Sequence, residues 1–303
     1  MKFSEKAEVI EVCPRDGFQN IKTFIPTELK IEIIEKLIGC GFKSMEITSF
    51  VHPKAIPQMA DAAEVLKTVR EKYAGKVELI ALAPNLFGAQ KAIEMGADSI
   101  SFVTSASERH NLENTKQTID KSLSAFAEVC KIKGDRKIRF AVATALTCPF
   151  TGDVPPEQAA KLVEAALSAG ADDIVLADTI GTATPIQMEN LLKTVLPRYP
   201  EISFVLHVHD THGMGLANIL TALNMGVTRF ESATAGLGGC PFAPGAAGNI
   251  ATEDLVNMLN KMGIVTGLNN EKIIGVARFI EEKVGVPVMG HLTKASVCKL
   301  QGS

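Results

Sequence analysis

SFVLHVHDTHGMGLANILTALNMGVTRFES, residues 203–232, is the stretch on which the reading of the fold turns. Its first seven residues alternate: Phe204, Leu206 and Val208 share one face, while His207 and His209 lie on the other, because side chains two apart on a strand point the same way. An amphipathic segment follows from Gly215 to Met225, Gly226 closes it, and Arg229 to Ser232 reads as another short strand. That is one strand–helix–strand unit of a parallel sheet.

The same unit repeats along the chain. Strands are expected at Glu8–Cys13, Ser44–Thr48, Val77–Leu82, Ser99–Val103, Ile138–Thr144, Asp173–Ala177, Ser203–His209 and Arg229–Ser232. Helices are expected at Thr27–Cys40, Gln58–Tyr73, Leu86–Met95, Thr115–Lys133, Pro156–Ala169, Pro185–Leu196, Gly215–Met225 and Thr252–Met262. Gly41, Gly96, Gly170 and Gly226 each fall between a helix and the next strand, where a left-handed residue ends a helix cheaply. Uninterrupted units favour a closed barrel over an open doubly wound sheet. The expected fold class is therefore α/β, a TIM (β/α)8 barrel over residues 1–266. Residues 267–303 form a short C-terminal helical extension, with a helix near Asn270–Val284 packed outside the barrel.

Bulk properties fit that architecture and exclude several functions. The chain has 303 residues, 46% of them hydrophobic, which suffices for one large core. Its 31 basic and 34 acidic side chains give a net charge of -3, with no footprint for nucleic acid or an anionic membrane. No apolar run reaches the length of a membrane span, Met1 to Ala7 lead directly into a strand pattern, and Gln301-Gly302-Ser303 is not a peroxisomal address. A cytoplasmic protein is the expectation. The six cysteines are widely spaced and form no C-x-x-C pair, so they read as reduced thiols.

Polar residues at the C-terminal ends of barrel strands face the mouth and are the functional candidates. His207 and His209 are two imidazoles on one inward face. A bound cation would satisfy both, and the alternative is a hydrogen-bonded interior pair. The first strand ends in Cys13-Pro14-Arg15-Asp16-Gly17-Phe18-Gln19. There Asp16 can act as a hard oxygen ligand, Arg15 can stabilise charge developing on a carbonyl oxygen, and Gln19 can hydrogen-bond substrate. On a surface the same Arg-Asp pair would be an ordinary ion pair. Glu46, between Met45 and Ile47, faces inward and needs a partner, either Arg15 or a metal-bound water, or else it is a structural ion-pair member. Asp178 either faces the mouth or caps the following helix. Beyond the last strand runs Ala235-Gly236-Leu237-Gly238-Gly239-Cys240-Pro241-Phe242-Ala243. It lacks a P-loop's lysine and suits a lid that carries Cys240 into the site as a proton donor or acceptor, against the plain reading of an inert thiol. Asn249 offers a neutral carbonyl oxygen. Asp16, His207, His209 and Asn249 together make a mixed oxygen and nitrogen set that suits Mg²⁺ or Mn²⁺ more than structural zinc.

These residues are similar to those of the 3-hydroxy-3-methylglutaryl-CoA lyase family, within a wider group of metal-dependent barrel lyases and Claisen-type synthases. The resemblance rests on Pro14 to Gln19, Glu46-x-Thr48-Ser49-Phe50, Asp178-Thr179-Ile180-Gly181, His207-x-His209-Asp210 and the loop from Ala235 to Asn249. The Gly-Leu-Gly-Gly-Cys-Pro segment is the lyase hallmark. The resemblance implies metal ligation by Asp16, His207, His209 and Asn249, with Arg15 near a thioester carbonyl, Cys240 in proton transfer and Glu46 supporting the metal. It implies a retro-Claisen cleavage to acetyl-CoA and acetoacetate, as in leucine degradation and ketone-body formation, by a homodimer acting on an acyl-CoA. Either Asp16 or His207 would serve as the base.

Four other readings compete. An acetyl-CoA-dependent synthase of the isopropylmalate type, or a lyase on a related 3-hydroxyacyl-CoA, shares the metal set, and Cys240 in the glycine loop stands against the synthase. A zinc hydrolase ordinarily carries its H-x-H pair on the first strand, not the seventh. A non-catalytic barrel that merely binds metal or CoA would not need every acid, base and ligand candidate retained.

Overall fold

The computed structural model describes residues 3–239 and 248–295. Eight parallel strands close into a barrel: β1 (Glu8–Glu11), β2 (Ser44–Ser49), β3 (Glu78–Leu82), β4 (Ser99–Ser105), β5 (Lys137–Ala143), β8 (Asp173–Asp178), β9 (Val205–Val208) and β10 (Arg229–Ser232). Around the barrel the order is β1-β10-β9-β8-β5-β4-β3-β2. A small antiparallel hairpin, β6 (Thr147–Cys148) with β7 (Gly152–Asp153), interrupts the pattern after β5. Strands of two residues carry no periodicity, so nothing in the sequence announces this hairpin.

The helices follow the strands: α1 (Thr27–Ile38), α2 (Ala62–Tyr73), α3 (Leu86–Glu94), α4 (Glu108–Thr115), α5 (Ile119–Ile132), α6 (Pro156–Ala169), α7 (Pro185–Val195), α8 (Gly215–Asn224) and α9 (Thr252–Lys261). After them come α10 (Asn270–Val284) and α11 (His291–Ala295). The junction glycines behave as expected, with φ of 107° at Gly41, 87° at Gly96, 105° at Gly170 and 93° at Gly226. Two helix starts need correcting: the helix expected from Gln58 begins at Ala62, after a separate 3-10 turn at Pro57–Met59. The helix read from Thr115 begins at Ile119, because Lys116 adopts φ 59° and ends α4. Thr118 then caps α5 by accepting from the Lys121 N–H.

Strand alternation divides the core in two. Outward side chains such as Met45, Phe102, Phe140, Leu206 and Phe230 join the shell between barrel and helices. Phe126 of α5 packs there against Phe102 at 5.4 Å and edge-on to Phe140 at 4.6 Å. Inside the barrel Ile10, Ile80, Val175 and Val205 form a separate apolar plug. Arg139, Glu46, His207 and Glu231 are buried too.

Glu11, fully buried on β1, ties the barrel to the turn after β10 and to the start of α9. Its carboxylate accepts from the Cys13 and Thr234 N–H groups and from the Thr234 and Thr252 hydroxyls. Burial pushes its pKa up to about 7 despite those donors. A folded-state pKa raised above the unfolded 4.5 means the native form holds the proton more tightly. The associated stability is therefore full below 4.5 and lost as the pH rises to about 7. Unfolding of wild type and Glu11→Gln, measured from pH 4 to 8, should show the variant gaining on wild type by roughly 2–3 kcal/mol across that window. A pH-independent difference would contradict this account of Glu11.

Candidate active site

Residues 13–17 are not an open loop but a single π-helical turn. The N–H groups of Asp16 and Gly17 both point back to the Val12 carbonyl, at 2.8 and 3.4 Å, and such turns gather at functional sites. The turn sets Arg15 and Asp16 side by side at the barrel mouth. Arg15 donates to Asp16 Oδ1 and to Glu46 Oε2 across on β2. Glu46 is 1% exposed, so its charge depends on that guanidinium.

Asp16 is the hub. Gln19 donates to its Oδ1 at 2.7 Å, Asn249 donates to its Oδ2 at 2.6 Å, and His209 Nε2 lies 3.7 Å from Oδ2. Burial opposes its charge, but Arg15, with the two histidines, holds the carboxyl far below the usual carboxylate range. Asp16, His207 and His209 each turn one ligand atom to a common point, and these atoms lie within 4.8 Å of one another. All three residues are buried.

His207 Nδ1 meets Glu231 Oε2 at 2.8 Å, and Arg139 Nη2 donates to the other oxygen of Glu231 at 2.7 Å. Burial works against the imidazolium, and the Glu231 contact outweighs it, so the His207 pKa is raised. For Glu231, burial is outweighed by Arg139 and His207, which take it down to about 2. The two imidazoles face each other, Nε2 to Nε2, at 3.1 Å. In the neutral ring, with its proton on Nδ1 and donated to Glu231, His207 Nε2 presents a lone pair. Asn249 Oδ1 and His209 Nδ1 are buried with no hydrogen-bond partner among the described residues. Two ring nitrogens, an ionised carboxylate and an orphaned amide oxygen fit a divalent cation bound by oxygen and nitrogen.

The structure thus brings Arg15, Asp16, Gln19, Glu46, His207, His209 and Asn249 together. Cys240 lies outside the described residues. Asp178 neither caps a helix nor joins the cluster. It folds its own loop by accepting from the Gly181 and Ala183 N–H groups, while Thr184 caps α7. His212 is exposed, as a loop histidine should be. Sequence reasoning missed Glu231 and Arg139. The alternation rule that exposed Glu46 would have found both, in Arg229-Phe230-Glu231-Ser232 and Ile138-Arg139-Phe140.

A closed parallel barrel with a buried carboxylate–imidazole cluster at the C-terminal ends of its strands is the architecture of a metal-dependent barrel enzyme. Residues 6–280 match the HMGL-like family model, and the chain belongs to that family. It is 44% identical over 291 residues to the hydroxymethylglutaryl-CoA lyase YngG of Bacillus subtilis, covering 95% of this chain and 96% of that one. It is 42% identical to the mitochondrial hydroxymethylglutaryl-CoA lyase of Bos taurus, over 98% of this chain and 91% of that one. Among solved structures, the B. subtilis HMG-CoA lyase superposes with a TM-score of 0.95 at 41% identity, covering 98% of this chain and all of that one. An Acinetobacter baumannii HMG-CoA lyase in complex with coenzyme A and 3-methylmalate gives 0.93 at 40% identity, over 100% of this chain and 99% of that one.

Gly238 makes the cluster sterically possible. Its φ is 95°, and a Cβ there would sit 2.5 Å from Asn249 Nδ2 and 3.0 Å from Asp16 Oδ2. Gly238→Ala should separate Asn249 from Asp16 and weaken the binding of an added divalent cation by about tenfold or more, some 1.4 kcal/mol. Calorimetric titration checks this, and wild-type affinity in the variant would refute it.

Proposed function

We propose that the chain is a lyase that cleaves 3-hydroxy-3-methylglutaryl-CoA into acetyl-CoA and acetoacetate by a metal-assisted retro-Claisen reaction. The buried Asp16–His207–His209 cluster beside Arg15 carries this reading, in a chain similar along its length to lyases of that name. Asp16, His207, His209 and Asn249 would hold Mg²⁺ or Mn²⁺. When bound, the cation acidifies the tertiary hydroxyl of a chelating substrate and offsets charge on the enolate.

The chain's own groups supply the rest. Arg15 places its positive charge at the thioester carbonyl oxygen as the carbon–carbon bond breaks. Glu46 holds that guanidinium in place, and Gln19, besides fixing Asp16, hydrogen-bonds substrate. We assign removal of the hydroxyl proton to one of Asp16 and His207, the two titratable groups that would meet the acidified hydroxyl. A weak base suffices for an acidified hydroxyl. Cys240, from the glycine-rich segment, is assigned the proton delivered to the enolate carbon.

We assign catalysis to the barrel unit of residues 1–266 and treat 267–303 as an extension. In support, the N–H groups of His291 and Leu292 both bond the Asp254 carboxylate of α9. No helix among the described residues is long and apolar enough to cross a membrane. A cytoplasmic homodimer completes the reading.

Purified protein given 3-hydroxy-3-methylglutaryl-CoA should release acetyl-CoA and acetoacetate, stop on chelation and recover with Mg²⁺ or Mn²⁺. Turnover insensitive to chelator, or no cleavage in the metal-loaded protein, would sink the reading. Arg15→Gln should lower kcat by about 10²–10³-fold while KM moves little. Equal losses in kcat and 1/KM would remove Arg15 from its assigned step.

A further inference from the structure

We propose that Arg139 and Glu231 are a positioning pair that fixes the ring and tautomer of His207, so that its Nε2 lone pair is committed to the cation. The inference rests on reading the Asp16–His207–His209 cluster as a metal centre.

Arg139 lies on β5 and Glu231 on β10, strands separated by β8 and β9 in the barrel order. The guanidinium therefore reaches across the interior to its carboxylate, and it is 1% exposed. An ion pair this deep must recover a large desolvation cost through complete hydrogen bonding, and apolar residues of similar volume commonly serve stability as well or better. This pair is not complete. Arg139 Nε and Nη1 have no hydrogen-bond partner among the described residues, and Asp173 Oδ2 lies 3.8 Å from Nε, beyond hydrogen-bond reach. The apolar plug of Ile10, Ile80, Val175 and Val205 shows that the interior can be filled without charge. Stability alone gives no reason for the pair.

Geometry gives one. Glu231 splits its two oxygens: Oε1 accepts from Arg139, and Oε2 accepts from His207 Nδ1. Arg139 occupies one oxygen of Glu231 and leaves the other facing His207 Nδ1 at 2.8 Å, and a ring nitrogen held that close to a carboxylate oxygen carries the proton, so the proton is on Nδ1. Nε2 is then the ligand atom, and it is the atom that faces His209 Nε2. Carboxylates behind metal-bound histidines set tautomer and basicity in this way. Arg139 touches neither cation nor substrate. It acts through Glu231.

The test is calorimetric titration of Mn²⁺ into metal-stripped protein, with thermal unfolding of each metal-free sample alongside. Wild type, Glu231→Gln and the double variant Arg139→Met/Glu231→Leu are compared. The double variant replaces the pair with apolar groups and keeps the fold testable if the single variant does not fold. Both variants should bind Mn²⁺ about 10–100-fold more weakly than wild type, while the metal-free double variant unfolds no earlier than wild type. A folded variant with Mn²⁺ affinity within about twofold of wild type overturns the positioning role and leaves a merely structural pair. Wild-type protein that takes up no Mn²⁺ overturns the metal reading itself, and this inference with it.

Discussion

One buried carboxylate governs the mouth of this barrel. Asp16 has lost its water, and its charge survives because Arg15, Gln19 and Asn249 replace that water with directed donors. The donors come from two places: Arg15 and Gln19 flank Asp16 in sequence, and Asn249 arrives from beyond the last barrel strand. Holding Asp16 in place thus joins the two ends of the barrel, and the histidines of β9 complete the ring around it. The π-helical turn at 13–17 is the local device, since it brings Arg15 and Asp16 out of β1 at the same level.

The charges are arranged in two linked chains. Glu46, Arg15 and Asp16 form one, and Arg139, Glu231 and His207 the other. They meet where His207 and His209 face Asp16. Every buried charge here has an opposite neighbour, as a low-dielectric interior demands. What the protein's own groups leave over is the Asp16 carboxylate and two ring nitrogens at one point, with Asn249, held on Asp16 through its Nδ2, keeping a buried Oδ1 that has no partner among the described residues. A divalent cation would satisfy that surplus.

Much of this was legible in the sequence because a strand has a period of two. His207 with His209, and Glu46 between Met45 and Ile47, could be assigned to the inner face from spacing alone. The helix-ending glycines marked the units. What was not legible depends on contacts between distant strands or on a single dihedral. The α4–α5 break hinges on the φ of Lys116, a residue type with no preference for that conformation. Arg139 and Glu231 had the right parity, but nothing local says that one reaches the other across the barrel. Asp178 was ambiguous because a strand-end aspartate can fold a loop, cap a helix or face a ligand, and only the N–H groups of Gly181 and Ala183 decide.

The claim beneath all of this is spatial: one cation joins the first, seventh and eighth strand ends of the barrel. Crystals soaked in Mn²⁺ and measured at an anomalous wavelength address it directly. The account predicts a single strong peak bonded by Asp16, His207 Nε2, His209 and Asn249 Oδ1. An empty mouth with the two imidazoles hydrogen-bonded to each other, or a peak elsewhere on the barrel, would contradict it.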